Sequence, residues 1–408
     1  MFNPGSNRYG PRAMITRTAL LLFVLSVSGC ECGGARLIDV PSQCELDPAS
    51  CDGGVIEPDA GHPACMNQGT ITGKVCAPDL ATFLNGATVS VDALDCTGAM
   101  VHLTTTSAAD GTFTLANVPP GTSLVVHATL GAFSQDTPVT VTANATTAIP
   151  DNQLCVAQKA VRIAVVTGSG DQIENLLTQL NLQYTKFGGD SSTWSSQAEP
   201  FLRDLDQLKQ FDLIFVDCAA AHKGSTIDFG TSGATISNNL HQYVLAGGSV
   251  YASDWALLFA LEAAPSAFAP PTNNGQPVSN PMTTNELMGF APQTVAATVP
   301  DAALAQFLGK SSLSIAFPKQ GGANSLHWGL LAASPGAQVL VSAGSVQACK
   351  DTTCTTAGSS MSNVPLAVRV RLLPAGQKGG NVVYTSFHNV AQSGTDVEQV
   401  LKYLVLNL

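Results

Sequence analysis

Three short, mainly apolar runs constrain what this chain can fold into. Residues 161–167 read VRIAVVT, residues 211–218 read FDLIFVDC, and residues 249–252 follow the Gly247-Gly248 turn inside HQYVLAGGSVYASDWALLFALE, residues 241–262. None alternates apolar with polar, which is the pattern of a strand covered on both faces, as in a parallel sheet flanked by helices. Between them apolar residues return at helical spacing. Ile173, Leu176, Leu177 and Leu180 fall at i, i+3, i+4 and i+7 behind a capping-box-like Asp171 and Glu174, and Ile236, Leu240, Tyr243 and Val244 repeat the interval. Strand then alternates with helix, so βαβ units with right-handed crossovers are expected. Residues 184–187, 365–373 and 380–386 offer further strands, and Thr395 with Glu398 opens a last helix faced by Val397, Val400, Leu401 and Leu404. Thr167-Gly168-Ser169-Gly170 lacks the third glycine and the lysine of nucleotide-binding loops and reads as a tight strand-to-helix turn.

Residues 67–154 follow a different period. Short β-branched runs at 70–75, 87–93, 101–106, 112–115, 123–128 and 138–142 are separated by the turn signals Asn85-Gly86, Asp110-Gly111 and Pro119-Pro120-Gly121. That spacing argues a small antiparallel β-sandwich. The segments GTITGKV, NGATVSVDA and TTTSAADGTFTLANVPPGTSLVVHA, in this order, resemble the carboxypeptidase regulatory-like domain, a transthyretin-like β-sandwich. The resemblance implies a spacer or a binding module for carbohydrate or protein, and no reaction. His102 and His127 fall in expected strands and read as surface or satisfied core residues rather than ligands.

At the amino end, Arg12 and Arg17 precede an apolar run at 19–27, too short for a permanent membrane span and suited to a signal-peptide core. It leads into Val27-Ser28-Gly29-Cys30, which resembles the lipobox of bacterial lipoproteins. The resemblance implies cleavage of residues 1–29, acylation of Cys30, and a lipid-anchored place in the bacterial cell envelope, at the outer membrane. Several acyl chains anchor stably where one is marginal. The other reading is an ordinary secretory signal with Cys30 as a disulfide partner. Residues 30–66, rich in Pro, Gly, Asp and Ser, read as a disordered tether.

Export places the remaining cysteines in an oxidising compartment, so disulfides are expected. Cys44 with Cys51 and Cys349 with Cys354 are candidate pairs, although spacing alone does not give connectivity. No CxxC pair occurs and the histidines are scattered, so neither a metal nor another cofactor is expected. The net charge is −11, and loss of residues 1–29 removes Arg8, Arg12 and Arg17 but no acid. An acidic surface without a basic stripe argues against nucleic acid as a partner.

The order and lengths of the elements in residues 159–408 resemble the class I glutamine amidotransferase-like superfamily, and GGNVVYTSFHN ends in His388, where that superfamily places its catalytic histidine. The chain is therefore expected to be multidomain: a small antiparallel β-sandwich plus an α/β, doubly wound, mostly parallel, flavodoxin-like sheet. An insertion at about 265–343 has no readable fold. In the superfamily a cysteine followed by glycine occupies the elbow after a central strand, and the histidine is followed by proline and glutamate. Here the elbow is Ser253-Asp254-Trp255 and the histidine segment is His388-Asn389-Val390. The resemblance thus implies a domain lacking the catalytic cysteine.

Ligands bind outside the carboxyl ends of parallel strands, which makes Asp217, Asp254 and His388 the expected binding residues. The same three could meet a cation, though their spacing does not demand one. Asp254 also reads as the cap of the helix that follows, and His388 as its hydrogen-bond partner. The expected function is that of an envelope lipoprotein with a binding or structural role, its partners being the membrane and a protein or glycan ligand. The competing expectation is a serine or cysteine hydrolase using His388 with Ser253 or Cys218. Ser253 lacks the GxSxG turn, and Cys218 reads equally as a buried small hydrophobe or a disulfide half.

Overall fold

The computed structural model describes residues 67–159, 161–223, 226–227, 229–265, 267, 272–273, 276–277, 288–318, 327–331, 336–350, 354–373, 379–390 and 394–408. The signal peptide, Cys30, the tether and the Cys44 with Cys51 pair lie outside these residues.

The first seven strands are β1 Gly69–Lys74, β2 Thr88–Leu94, β3 Met100–Thr106, β4 Thr112–Val118, β5 Gly121–Leu130, β6 Phe133–Val141 and β7 Thr146–Ala148. They form two sheets, ordered β4-β1-β7 and β3-β2-β5-β6. Alternation explains why each is a strand with one buried face: in β2, Val89, Val91 and Ala93 point inward while Thr88, Asp92 and Leu94 point to solvent. Ile71, Phe113, Leu115, Val126 and Phe133 join them in the core. The expected all-antiparallel pairing needs one correction. β7 pairs with β1 in parallel, because the chain crosses back after β6 and Thr70 donates its N–H to the Ala145 carbonyl. His102 and His127 make exposed cross-strand contacts with Asp92 and Asp136, each at 2.7 Å. A disulfide not foreseen from spacing joins Cys76 to Cys155, and the Cys349 to Cys354 disulfide is present.

The second part of the chain contains β8 Ile163–Thr167, α1 Ile173–Gln179, β9 Thr185–Gly188, α2 Ala198–Arg203, β10 Leu213–Val216, α3 Gly233–Leu245, β11 Ser249–Ser253 and α4 Leu257–Ala263. It continues with β12 Met288–Phe290, β13 Gln293–Thr298, α5 Ala302–Leu308, β14 Ser312–Phe317, β15 His327–Gly329, β16 Gln338–Cys349, β17 Ala357–Arg371, β18 Asn381–Thr385 and α6 Thr395–Leu406. Among the described residues these strands build one 11-stranded sheet, ordered β14-β13-β16-β17-β18-β11-β10-β8-β9, with β12 pairing β15 and β16.

The stretch β9-β8-β10-β11-β18 is parallel throughout. The middles of β8, β10, β11 and β18 are apolar and buried because both faces are covered, whereas β9, TKFG at the edge, is half exposed. Val165, Leu213, Phe215, Tyr251 and Val383 pack with Leu176, Leu177, Val397, Leu401 and Leu404 of α1 and α6. Ala164, Val166, Ile214, Val216, Val250 and Ala252 pack on the other side with Phe201, Ile236, Leu240 and Phe259 of α2, α3 and α4. The expectation of a mostly parallel sheet is corrected beyond β18: β17, β16, β13 and β14 add in antiparallel order. The insertion at 265–343 accounts for part of this, β17 and half of β16 lying beyond it. It supplies β12 to β15 and the start of β16, and hairpin-like neighbours pair antiparallel without a crossover helix. The result is a mixed sheet.

Candidate functional site

Four segments converge at the carboxyl ends of the parallel strands. The loop after β8 brings Asp171, β10 runs into Asp217 and Cys218, β11 into Ser253 and Asp254, and β18 into His388. β10 and β11 are adjacent and parallel, with Leu213 opposite Ser249 and Val216 opposite Ala252, so their carboxyl ends meet at one crest. All six side chains are buried, none more than 3% exposed.

Asp254 does not cap the helix after it. Its φ is +44°, a left-handed conformation that costs a non-glycine residue energy, and no side-chain cap is made at the short turn 254–256 or at α4. The turn swings the carboxylate into the crest. There Oδ1 accepts the Gly329 N–H, and Oδ2 lies 3.6 Å from both Cys218 Sγ and His388 Nε2. Asp171 departs from its expected capping role in the same way, since α1 begins at Gln172 without a side-chain cap. Its carboxylate instead collects Ser253 Oγ–H at 2.7 Å, Gln172 N–H at 2.8 Å and Asn389 N–H at 3.2 Å, and stands 3.8 Å from His388 Nδ1. Sequence reasoning missed Asp171 as a site residue. The signal available was an aspartate directly after a parallel strand, which was read as a helix cap.

Two expected groupings are not formed. Ser253 Oγ donates to Asp171 and accepts the Cys218 N–H at 3.1 Å, so its hydroxyl is engaged away from His388. Asp217 turns away from Asp254 and His388. Its Oδ1 accepts the Ile173 N–H at 3.3 Å, serving α1 from a neighbouring strand, and its carboxyl meets Glu174, which Lys186 holds at 2.9 Å. The set that does converge is Cys218, Asp254 and His388, whose ligating atoms all lie within 4.8 Å of one another.

Burial governs the charges. Desolvation pushes the Asp217 carboxyl well above the ordinary carboxylate range, and the charges of Asp171 and Glu174 add to it. Desolvation also raises Asp171, against the pull of His388. The Cys218 thiol is pushed well up, first by burial and then by the Asp254 charge. Burial alone would lower His388, but Asp254 and Asp171 outweigh it and its pKa is raised.

The crest is covered from the insertion. Gly329, at the end of β15, lies on the elbow so closely that a Cβ there would come within 2.8 Å of the Asp254 carbonyl oxygen, and Tyr384 donates its hydroxyl proton across the junction of Asp254 and Gly329. On the other flank the Gly168 to Gly170 turn wraps Cys218, with Gly170 N–H donating to the Cys218 carbonyl at 3.1 Å. A Cβ at Gly168 would sit 2.0 Å from that carbonyl oxygen. Gly168→Ala is therefore expected to cost about 1–3 kcal/mol, as overpacking against backbone does. Chemical denaturation checks this, and an unchanged midpoint would refute so close a wrap.

No family model matches this sequence, and no curated protein matches it. Among solved structures the chain is similar to a β-galactosidase from Rahnella sp. R3, at 13% identity and a TM-score of 0.31, covering 60% of this chain and 31% of that one. It is also similar to a 9R-lipoxygenase from Cyanothece PCC8801, at 8% identity and a TM-score of 0.13, covering 74% of this chain and 43% of that one. The chain thus spans less than half the length of either protein, and neither similarity bears on fold family or function.

Proposed function

We propose that this chain is a lipid-anchored lipoprotein of the bacterial cell envelope, at the outer membrane, with a binding or structural role and no catalytic turnover. On this reading residues 1–29 are the signal peptide, Cys30 carries the lipid, and residues 30–66 are the tether. A carboxypeptidase regulatory-like β-sandwich and a flavodoxin-like domain of the class I glutamine amidotransferase-like kind follow. The parallel order β9-β8-β10-β11-β18, a 2-1-3-4-5 arrangement, supports the flavodoxin-like assignment.

The observation that carries the non-catalytic reading is the state of the elbow. A carboxylate, Asp254, occupies it, bound by the Gly329 N–H and facing His388, under a covering strand. The nucleophiles of the competing hydrolase reading are both compromised. Ser253 is committed to Asp171, and Cys218 is buried with a thiol held far from ionisation, whereas the thiolate is the reactive form.

Beside the crest, a cavity of about 350 Å³ between α1 and α6 is lined by Gln172, Asn175, Gln179, Asn389 and Glu398 together with the apolar Leu176, Val390 and Val397. This mixed polar and apolar lining suits either a glycan or a protein ligand.

Two measurements test the proposal. Serine- and cysteine-directed active-site probes are expected to leave the purified protein unlabelled, and labelling that vanishes in His388→Ala would overturn the non-catalytic reading. Replacing Cys30 by alanine is expected to shift the protein from the membrane to the soluble fraction, and unchanged membrane retention would defeat the anchor.

A further inference from the structure

We propose that Cys218, Asp254 and His388 form a site for a thiophilic divalent cation of the zinc class, with Asp171 positioning the imidazole. This goes beyond the lipoprotein reading and stands independently of it.

The distances are the first argument. His388 Nε2 and Asp254 Oδ2 are 3.6 Å apart, beyond the 2.7–3.2 Å usual for an N–H···O hydrogen bond. Cys218 Sγ lies at the same 3.6 Å from the same oxygen. Zn²⁺ bonds of about 2.0–2.3 Å to nitrogen, oxygen and sulfur place neighbouring ligand atoms of a tetrahedron roughly 3.4–3.6 Å apart. Two of the three donor pairs therefore already stand near the edge length of a coordination polyhedron, and all three pairs lie inside 4.8 Å.

Charge is the second. A cation entering this site displaces the thiol proton to solvent, and the resulting thiolate with a carboxylate and a neutral imidazole sum to two negative charges, which a divalent ion cancels where every donor is buried. Thiolate and imidazole select zinc-like ions over magnesium or calcium, which prefer oxygen.

The surroundings are the third. Metal-bound histidines commonly present their second ring nitrogen to a carboxylate, and His388 turns Nδ1 toward Asp171. Asp171 is itself fixed by Ser253, Gln172 and Asn389, so its carboxylate stands behind the ring, 3.8 Å from Nδ1. Three protein donors leave a tetrahedral ion one position for a solvent molecule.

Untagged full-length protein loaded with Zn²⁺ and dialysed against metal-free buffer is expected to retain about one ion per chain by elemental mass spectrometry. The Cys218→Ser/His388→Gln double variant is expected to lose it. Co²⁺ in place of Zn²⁺ should give tetrahedral d–d bands together with a thiolate charge-transfer band that disappears in Cys218→Ser. Asp171→Asn should keep the stoichiometry but weaken affinity about 10–100-fold in chelator competition, which a role confined to packing would not produce.

A metal-free wild-type protein, equal retention by the double variant, or a Co²⁺ spectrum without the thiolate band would overturn the proposal. Where the variants do not fold, the wild-type Co²⁺ spectrum decides alone. Metal content is read without reference to probe labelling or membrane retention, so failure here is distinct from failure of the lipoprotein reading.

Discussion

Replacing Cys76 and Cys155 together by alanine is expected to lower the stability of the amino-terminal sandwich by about 4–5 kcal/mol. The bridge closes a loop with a sequence separation of 79, and a cross-link stabilises chiefly by restricting the unfolded chain, more so as the loop lengthens. The Cys349 to Cys354 bridge closes a separation of only 5, for which the same relation gives about 2 kcal/mol. Urea titration of the two double variants should therefore separate them clearly. Equal losses, or a smaller loss for the Cys76 pair, would show that native contacts rather than loop closure dominate at that edge. The long bridge also holds Cys155, just past β7, against the start of the sandwich, where Cys76 N–H donates to the Leu154 carbonyl and Val156 N–H to the Cys76 carbonyl.

The second large effect is expected at Asp171. Asp171→Ala removes the acceptor for Ser253 Oγ–H, Gln172 N–H and Asn389 N–H and takes the facing carboxylate from His388, with Ser253 and His388 fully buried. Breaking a buried charged network by deleting one member costs about 3–5 kcal/mol, because the remaining groups are left without solvent. Asp171→Asn keeps one acceptor oxygen at the same place and is expected to cost about 1–2 kcal/mol. Denaturation midpoints for the two variants give the comparison. If alanine and asparagine cost the same, the carboxylate is not the hub of the crest.

The parallel half of the sheet was legible because its strands are covered on both faces. A run such as LIFV at 213–216, buried at all four positions, has few alternatives. The sandwich was legible through its turns and its alternation. The antiparallel flank was not, apart from the second half of β17, read as a strand from residue 365. β16 and β17 mix Ser, Gly, Ala and Gln with scattered valines, and their burial follows no simple period, because bulges shift the register between Val339 and Ser342 and near Cys349.

At the crest, Asp254 and His388 were placed by strand ends, and the structure does set them face to face. What composition could not reveal was direction. Asp254 and Asp171 both stand where a helix cap would stand; the left-handed backbone of Asp254 and the hydrogen bonds of Asp171 to Ser253 and Asn389 send their carboxylates inward instead. Asp217 shows the converse. Its position resembled that of a ligand, but its carboxyl serves the first turn of α1.

β18 is the late arrival in this sheet. It inserts between β11, which precedes it by some 130 residues, and β17, so before it docks each of those strands presents a bare hydrogen-bonding edge. A polypeptide emerging amino end first must carry two incomplete half-sheets until residues 381–385 zip them together, a topology that slows folding and invites mispairing. On the lipoprotein reading proposed above, passage through an export channel would leave those edges bare unless a holding chaperone covers them.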